Sequence, residues 1–187
     1  MPAHQRADAR RNYARILAVA EKEVAAHGAT ASLEQIARTA GVGSATVRRH
    51  FPTRRALLEA VSQRRIEALR VRAYELADEE DSRGALLDWL SDVVTYSASA
   101  RGLAAALTHN DDGSAAAHEN SCTSVEEAGA PLLLRAVGDG AVQPSVTIED
   151  LIALIVGIAL ATESHPDPVA QANRLFRLAV AGLSPLT

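Results

Sequence analysis

Apolar residues recur at helical spacing along most of this chain, and the stretch from Ser32 to Phe51, SLEQIARTAGVGSATVRRHF, shows the pattern most clearly. Its first part places apolar residues on one predicted helix face, at Leu33, Ile36, Ala37 and Ala40. Gly41 follows where a helix can end in a left-handed residue, and a second helix is predicted from Ser44. Two short helices joined by such a tight turn form a helix-turn-helix.

The ends and faces of the two helices are also predicted. Ser32 is expected to cap the first helix, and Gln35 to complete a capping box. Val47 and Phe51 share a face of the second helix and are expected to pack back onto the first. The other positions are predicted to face outward, namely Ser44, Ala45, Thr46, Arg48, Arg49 and His50. Small hydroxyl side chains followed by arginines suit the major groove of DNA, whereas an ordinary surface helix pair would not need all these features together.

Longer helices are predicted on both sides of this pair. The one before it, from Asp8 to His27, has an apolar face at Tyr13, Ile16, Leu17, Ala20 and Val24. The one after it follows Pro52 and is expected to be capped by Thr53. Its first turn carries Arg54 and Arg55, where cations are unfavourable against the helix dipole, so a phosphate is their expected partner.

The second half of the chain is predicted to be helical as well. Helices are expected over 83–99, 117–137 and 168–183, with a potential break at Gly129-Ala130-Pro131. The content of Asn, Asp and Gly predicts loops over 108–116 and 138–145. The uncharged stretch 151–161, LIALIVGIALA, is too short to span a bilayer and predicts a helix that is buried on every side. The fold class is therefore predicted to be all-α.

Charge divides the chain into two parts. Residues 1–77 contain fourteen Lys or Arg against seven Asp or Glu, a balance of +7, whereas residues 78–187 contain five against sixteen, a balance of −11. The acidic segment Asp78–Ser82 lies at the division, which predicts a boundary between a DNA-binding domain over 1–77 and a second domain over 78–187. The basic part is expected to meet a polyanion.

The composition excludes several other classes. No apolar run is long enough for a transmembrane helix, and the N-terminal residues lack the apolar core of a signal peptide. A single cysteine, Cys122, allows no internal disulfide, so a cytoplasmic protein without membrane contact is expected.

Candidate chemistry is confined to binding. The polar residues of one predicted loop lack regular ligand spacing, so no metal, no cofactor and no catalysis are expected from His109, Asp111, Asp112, His118 and Glu119. A mostly apolar ligand pocket is predicted in the acidic part, although plain core is the simpler interpretation of each candidate residue taken singly. These candidates are Trp89, Tyr96, Leu103, Leu107, Cys122 and Leu133.

The N-terminal part resembles the DNA-binding domain of the tetracycline-repressor (TetR) family of bacterial regulators. The resemblance rests on Ile36-Ala37, Ala40-Gly41-Val42, Thr46-Val47, His50-Phe51-Pro52 and Ala56-Leu57. It implies an N-terminal helix-turn-helix domain of three helices and a C-terminal helical domain for ligand binding and dimerisation. It also implies a repressor that binds a pseudo-palindromic double-stranded DNA operator and is released by a small-molecule effector. The homodimer is expected to form through the last two helices, about 147–183.

In this interpretation the DNA-binding residues form two sets, with Ser32 beside them. Those expected to meet the groove are Ser44, Ala45, Thr46, Arg48 and Arg49, and those expected on or near phosphates are His50, Thr53, Arg54 and Arg55. Arg48 stands where the family commonly has a tyrosine and Arg55 where it has an acidic residue, so the operator sequence stays open. The alternative function is a helical sensor that acts through a protein partner without sequence-specific DNA binding.

Overall fold

The computed structural model describes residues 3–99 and 114–182, without the side chains of 3–7, Ala29 and 114–122. Within these residues the chain forms eight α-helices, a 3-10 turn and no strand. The helices are α1 (Ala3–His27), α2 (Leu33–Thr39), α3 (Ser44–His50), α4 (Arg54–Leu76), α5 (Ser82–Ser99), α6 (Ser114–Gly138), α7 (Ile148–Thr162) and α8 (Pro168–Gly182). The predicted all-α class is confirmed.

Several helices differ from their predicted bounds, α1 and α6 among them. α1 begins at Ala3 rather than near Asp8. α6 begins at Ser114, inside the predicted loop, and continues through Pro131, so the break expected there is wrong. A proline inside a helix removes one backbone hydrogen bond, but Pro131 is exposed, and water can reach the carbonyl that is left without its donor.

The described residues group into two compact units, each with its own apolar core. The first contains the chain up to Arg64, and the second contains 65–99 and the residues from Ala115 onwards. Within the first unit, α2 packs against both α1 and α3. The core side chains that join these helices and the start of α4 are Ile16, Leu17, Ala20, Val24, Ile36, Ala37, Val47, Phe51, Leu57, Leu58 and Val61. The domain boundary after Ala77 stays a prediction.

The core of the second unit is built around Trp89. Its side chain is fully buried, and its indole N–H donates a hydrogen bond to the carbonyl oxygen of Leu69 at 2.9 Å. Gly129 lies directly against the ring, since a Cβ on this residue would be 2.4 Å from the Trp89 ring. Around this contact α5, α7 and α8 pack against one another in pairs.

The helix α7 begins at a capping box, in which Thr147 and Asp150 each accept a hydrogen bond from the other's backbone N–H. It is not buried on every side, so that prediction is wrong for the single chain. Its inner face carries Leu151, Ile152, Ile155 and Ile158, but Val156 is 40% exposed and Leu160 is 68% exposed. The neighbouring helices cover one face of α7 and leave the other open.

Candidate DNA interface

The first helix of the pair is capped as predicted, but by one side chain only. Ser32 Oγ accepts a hydrogen bond from the backbone N–H of Gln35 at 3.3 Å. The Gln35 side chain does not return to Ser32, because it donates to Thr39 Oγ1 at 3.3 Å and accepts from Arg38. The cap at Ser32 is therefore confirmed, whereas the capping box predicted with Gln35 is not formed.

The turn between α2 and α3 depends on Gly41. This residue has φ +62°, a left-handed conformation that glycine adopts without steric cost. Its N–H donates to the carbonyl of Arg38 at 3.1 Å, and the N–H of Val42 donates to the carbonyl of Ala37 at 3.0 Å. These two bonds form a Schellman motif, which satisfies the last carbonyls of α2 and directs the chain into α3.

The helix α3 is held by apolar residues on its inner side. Val47 and Phe51 are almost completely buried, as the sequence predicts. On the outer side the exposed residues are Ser44, Ala45, Arg48 and Arg49, whereas Thr46 is only half-exposed. A short helix that is fixed by its apolar side presents its polar side to a partner in a defined orientation.

His50, at the end of α3, is more enclosed than the sequence suggests. The Tyr13 ring of α1 stacks on Phe51 with centroids 5.0 Å apart and meets the edge of His50 at 6.0 Å. His50 Nε2 is buried, with no hydrogen-bond partner among the described residues. His50 thus packs the end of α3 against α1, and its predicted phosphate contact stays a prediction.

A groove brings together predicted DNA-binding residues from three elements. Ser32 precedes α2, Arg48 lies on α3, and Arg54 begins α4, and all three line one groove of about 340 Å³. The remaining lining residues are not among the predicted DNA-binding residues, and they are Thr30, Ala31, Leu33 and Glu34. Their proximity to the two arginines depends on how three elements pack, so spacing along the chain gives no signal for it.

Thr53 and Arg55 lie at the start of α4, and each has a partner within that helix. Thr53 Oγ1 accepts a hydrogen bond from the N–H of Ala56 at 3.0 Å, so Thr53 caps α4 as predicted. Arg55 lies 2.8 Å from Glu59 in an ion pair one turn along the helix. Arg55 is therefore held by its own helix, and Arg54 is the first-turn arginine that lines the groove.

The residues predicted for a ligand pocket, where the structure describes them, belong to the apolar core of the second unit or pack against it. Trp89 and Leu133 are buried in the second core, and Tyr96 packs against that core half-buried. Leu103, Leu107 and the side chain of Cys122 lie outside the described residues. The ligand pocket therefore stays a prediction.

The parts of the chain that the structure describes contain no cluster of His, Cys, Asp or Glu that could hold a metal ion. None of the helices described there has the length and apolar character required to cross a membrane.

Two models of known protein families match this chain, one in each unit. The model of the bacterial regulatory proteins of the TetR family matches residues 16–61, and that of the C-terminal domain of SbtR-like transcriptional regulators matches residues 81–185. Among curated proteins there is no significant match.

Solved structures agree over nearly the whole chain. A TetR transcriptional regulator from Streptomyces coelicolor is 34% identical, with 94% of this chain and 99% of the other covered and a TM-score of 0.75. A TetR transcription regulatory protein from Mycobacterium vanbaalenii is 33% identical, with 96% and 99% covered and a TM-score of 0.65. The FadR regulator from Bacillus subtilis, in complex with stearoyl-CoA, shares the fold at 17% identity, with 91% and 98% covered and a TM-score of 0.63.

The helix-turn-helix, the two family models and the related structures together define a helical DNA-binding transcriptional regulator. The chain belongs to the TetR family. The predicted family and its two-part architecture are thereby confirmed.

Proposed function

We propose that this regulator is a repressor that binds a pseudo-palindromic operator as a homodimer and is released from it by a small-molecule effector. The observation that carries the proposal is the groove lined by Ser32, Arg48 and Arg54, beside the exposed side of α3. Two guanidinium groups next to a polar helix face suit a DNA backbone and the bases beside it.

Each candidate DNA-binding residue is proposed to have one of two roles on the duplex. The residues assigned to the major groove are Ser44, Ala45, Thr46, Arg48 and Arg49, and those assigned to phosphates are Ser32, His50, Thr53, Arg54 and Arg55. Base contacts select the sequence, whereas phosphate contacts fix the position and orientation of the protein on the duplex. Arginine can make two parallel hydrogen bonds to guanine, which suits Arg48 and Arg49 to direct reading.

The homodimer is proposed to form through α7 and α8. In addition to Val156 and Leu160 on α7, Leu178 on α8 is 59% exposed. Large apolar side chains left open on adjacent helices favour association, because burial of apolar surface stabilises a complex. A two-fold dimer would place its two α3 helices in successive major grooves, about 34 Å apart.

The effector is proposed to bind in the second unit. The FadR relative was solved in complex with stearoyl-CoA, which supports a small-molecule effector for this fold, and the second unit is chosen because the candidate DNA interface occupies the first. For this chain the ligand class is left open. The effector must bind one conformation of the dimer better than the other, because only a difference in affinity shifts the equilibrium between them.

The proposal is tested by selecting duplexes from a random library with the purified full-length protein. The expected result is an inverted repeat, whose binding weakens steeply as salt rises. Adding the enriched repeat to a promoter should then lower transcription in a purified system when the protein is present. If the selection enriches no sequence, the proposed operator binding is wrong. If an inverted repeat is enriched but transcription rises, the repressor role is wrong while operator binding stands.

A further inference from the structure

The side of α1 that meets the end of α3 carries a partly exposed tyrosine. The Tyr13 ring is held in place, because it stacks on Phe51 with centroids 5.0 Å apart and meets the edge of His50 at 6.0 Å. Tyr13 is nevertheless 40% exposed, and its hydroxyl has no hydrogen-bond partner among the described residues. The hydroxyl is therefore a polar group that is fixed at the surface and open to a partner outside the chain.

Arg10 lies one helical turn before Tyr13, on the same side of α1. Positions three apart on an α-helix are separated by roughly 60° around its axis, so their side chains are neighbours. Arg10 is exposed and makes no hydrogen bond or ion pair with any described residue. The packing of Tyr13 against α3 thus brings an unpaired guanidinium to the end of that helix.

The other described arginine side chains of α1 differ from Arg10 in both respects. Arg11 and Arg15 lie roughly 160° from Tyr13 around the helix axis, on the opposite side of α1. Arg11 forms an ion pair with Asp8, and Arg15 donates a hydrogen bond to Asn12 Oδ1 at 3.1 Å. Both are satisfied within α1 and face away from α3, whereas Arg10 is unpaired and faces the same way as Tyr13.

We propose that Arg10 and Tyr13 contact a DNA phosphate beside the C-terminal end of α3. This inference rests on the proposed operator binding and adds a contact from α1 to it. A recognition helix in the major groove contacts base edges with its N-terminal residues, so its C-terminal end lies nearer to the edge of the groove, where a strand passes. His50 is the last residue of α3, and Tyr13 packs against it.

A phosphate fits this pair of side chains better than a base edge does. Tyr13 stacks on Phe51, which belongs to the buried side of α3, so α1 does not accompany the exposed side of α3 into the groove. Arginine and tyrosine side chains are both common donors to phosphate oxygens. The guanidinium supplies a charge-assisted bond that weakens with salt, and the hydroxyl adds one directional hydrogen bond without charge.

The first test measures the affinity of the full-length protein for the selected duplex over a range of salt concentrations. Arg10→Ala should weaken binding about tenfold and reduce the slope of log affinity against log salt concentration by about one. Tyr13→Phe keeps the stacked ring and removes only the hydroxyl. It should weaken binding about fivefold, as expected for one ordinary hydrogen bond, and leave the slope unchanged.

Arg15→Ala is the matched control for Arg10→Ala. It removes the same charge from the same helix, but on the side that faces away from α3. Arg15→Ala should therefore leave the affinity and the slope close to those of the unaltered protein. Circular dichroism of each variant shows whether it remains folded.

The second test locates the contact on the duplex. Ethylation of single phosphates removes their charges one at a time, and ethylation at one flanking phosphate of each half-site should interfere with binding of the unaltered protein. Arg10→Ala should no longer respond to ethylation at that phosphate and should keep the other interference positions. Arg15→Ala should keep the complete pattern.

The outcomes separate this inference from the proposed function. If Arg10→Ala binds the selected duplex with the affinity and slope of the unaltered protein, the contact by Arg10 is wrong while operator binding stands. If Tyr13→Phe binds as tightly as the unaltered protein, the contact by the hydroxyl is wrong. If the unaltered protein selects no duplex, the proposed operator binding fails and this contact fails with it. A lower slope for Arg10→Ala alone, together with the lost interference position, supports the contact.

Discussion

The helices α3 and α7 are built alike on one side and differ on the other. Each is fixed by buried apolar residues, such as Val47 on α3 and Ile155 on α7. The outer side of α3 carries hydroxyls and arginines, whereas the outer side of α7 carries Val156, Leu160 and small residues. The inner side determines how each helix is held. In the proposed function the outer side determines the class of partner, which is a polyanion for α3 and an apolar surface for α7.

The largest effect is expected from removing the support beneath α3. Val47→Asp places a carboxylate at a position that is 1% exposed. We expect a loss of about 3 kcal/mol or more in the free energy of unfolding, since a buried unpaired charge is poorly tolerated. Thermal denaturation followed by circular dichroism measures this loss.

The control lies on the outer side of the same helix. Ala45→Asp changes an exposed residue, and we expect its stability to remain within about 0.5 kcal/mol of the parent. Its DNA binding should nevertheless weaken, because a carboxylate would face the phosphates. Similar stability losses for Val47→Asp and Ala45→Asp would contradict the description of α3 as a helix with two distinct sides.

On α7, a substitution on the outer face is expected to weaken dimerisation, whereas one on the inner face is expected to unfold the second unit. Leu160→Glu places a charge on the open face, and we expect the dissociation constant of the dimer to rise about a hundredfold without unfolding of the chain. Ile155→Glu, on the fully buried inner face, should unfold the second unit instead. Sedimentation and circular dichroism distinguish these results. If the Leu160→Glu protein remains fully dimeric, α7 is not part of the dimer interface.

The two arginines of the groove are expected to act differently on DNA. Arg54→Ala should weaken binding about tenfold at all sequences. It should also reduce the slope of log affinity against log salt concentration by about one, the value for one phosphate contact. Arg48→Ala should in addition relax the sequence preference at one position of each half-site. Arg70→Ala, an exposed arginine of α4 in the second unit, is the control and should change neither property. Uniform weakening by both Arg48→Ala and Arg54→Ala would assign Arg48 to a phosphate.

The smallest effect is expected at the start of α2. Ser32→Ala removes the cap on the Gln35 N–H and should lower the free energy of unfolding by about 1 kcal/mol. Gln35→Ala should cost less, because the Gln35 side chain bonds within the helix to Thr39 and Arg38 rather than to the cap. A larger loss for Gln35→Ala in thermal denaturation would instead favour a working capping box.

The helix-turn-helix was predictable because its determinants are local. A cap at Ser32, a left-handed glycine at Gly41 and apolar residues at helical spacing are all within a few residues of the bonds that they form. The exposure of the outer face of α7 was not predictable in the same way. An apolar helix has the same sequence whether its own chain or a second chain covers its outer face.

The groove of the candidate DNA interface could likewise be predicted from the sequence only in part. Arg48 and Arg54 were identifiable as DNA-binding candidates by charge and position. Thr30 and Glu34 line the same groove only because the start of α2, α3 and the start of α4 lie close together. The enclosure of His50 likewise depends on Tyr13, which belongs to another helix. Contacts between residues far apart in sequence leave no periodic signal along the chain.

The most direct measurement compares the selected duplex with one in which a single half-site is scrambled, at equal length and salt. Sedimentation and titration give the number of chains per duplex and the affinity. The account predicts two chains on the complete inverted repeat and a loss of at least about a hundredfold in affinity when one half-site is destroyed. One chain per duplex, or equal affinity for both duplexes, would contradict a dimer that reads two half-sites with paired α3 helices.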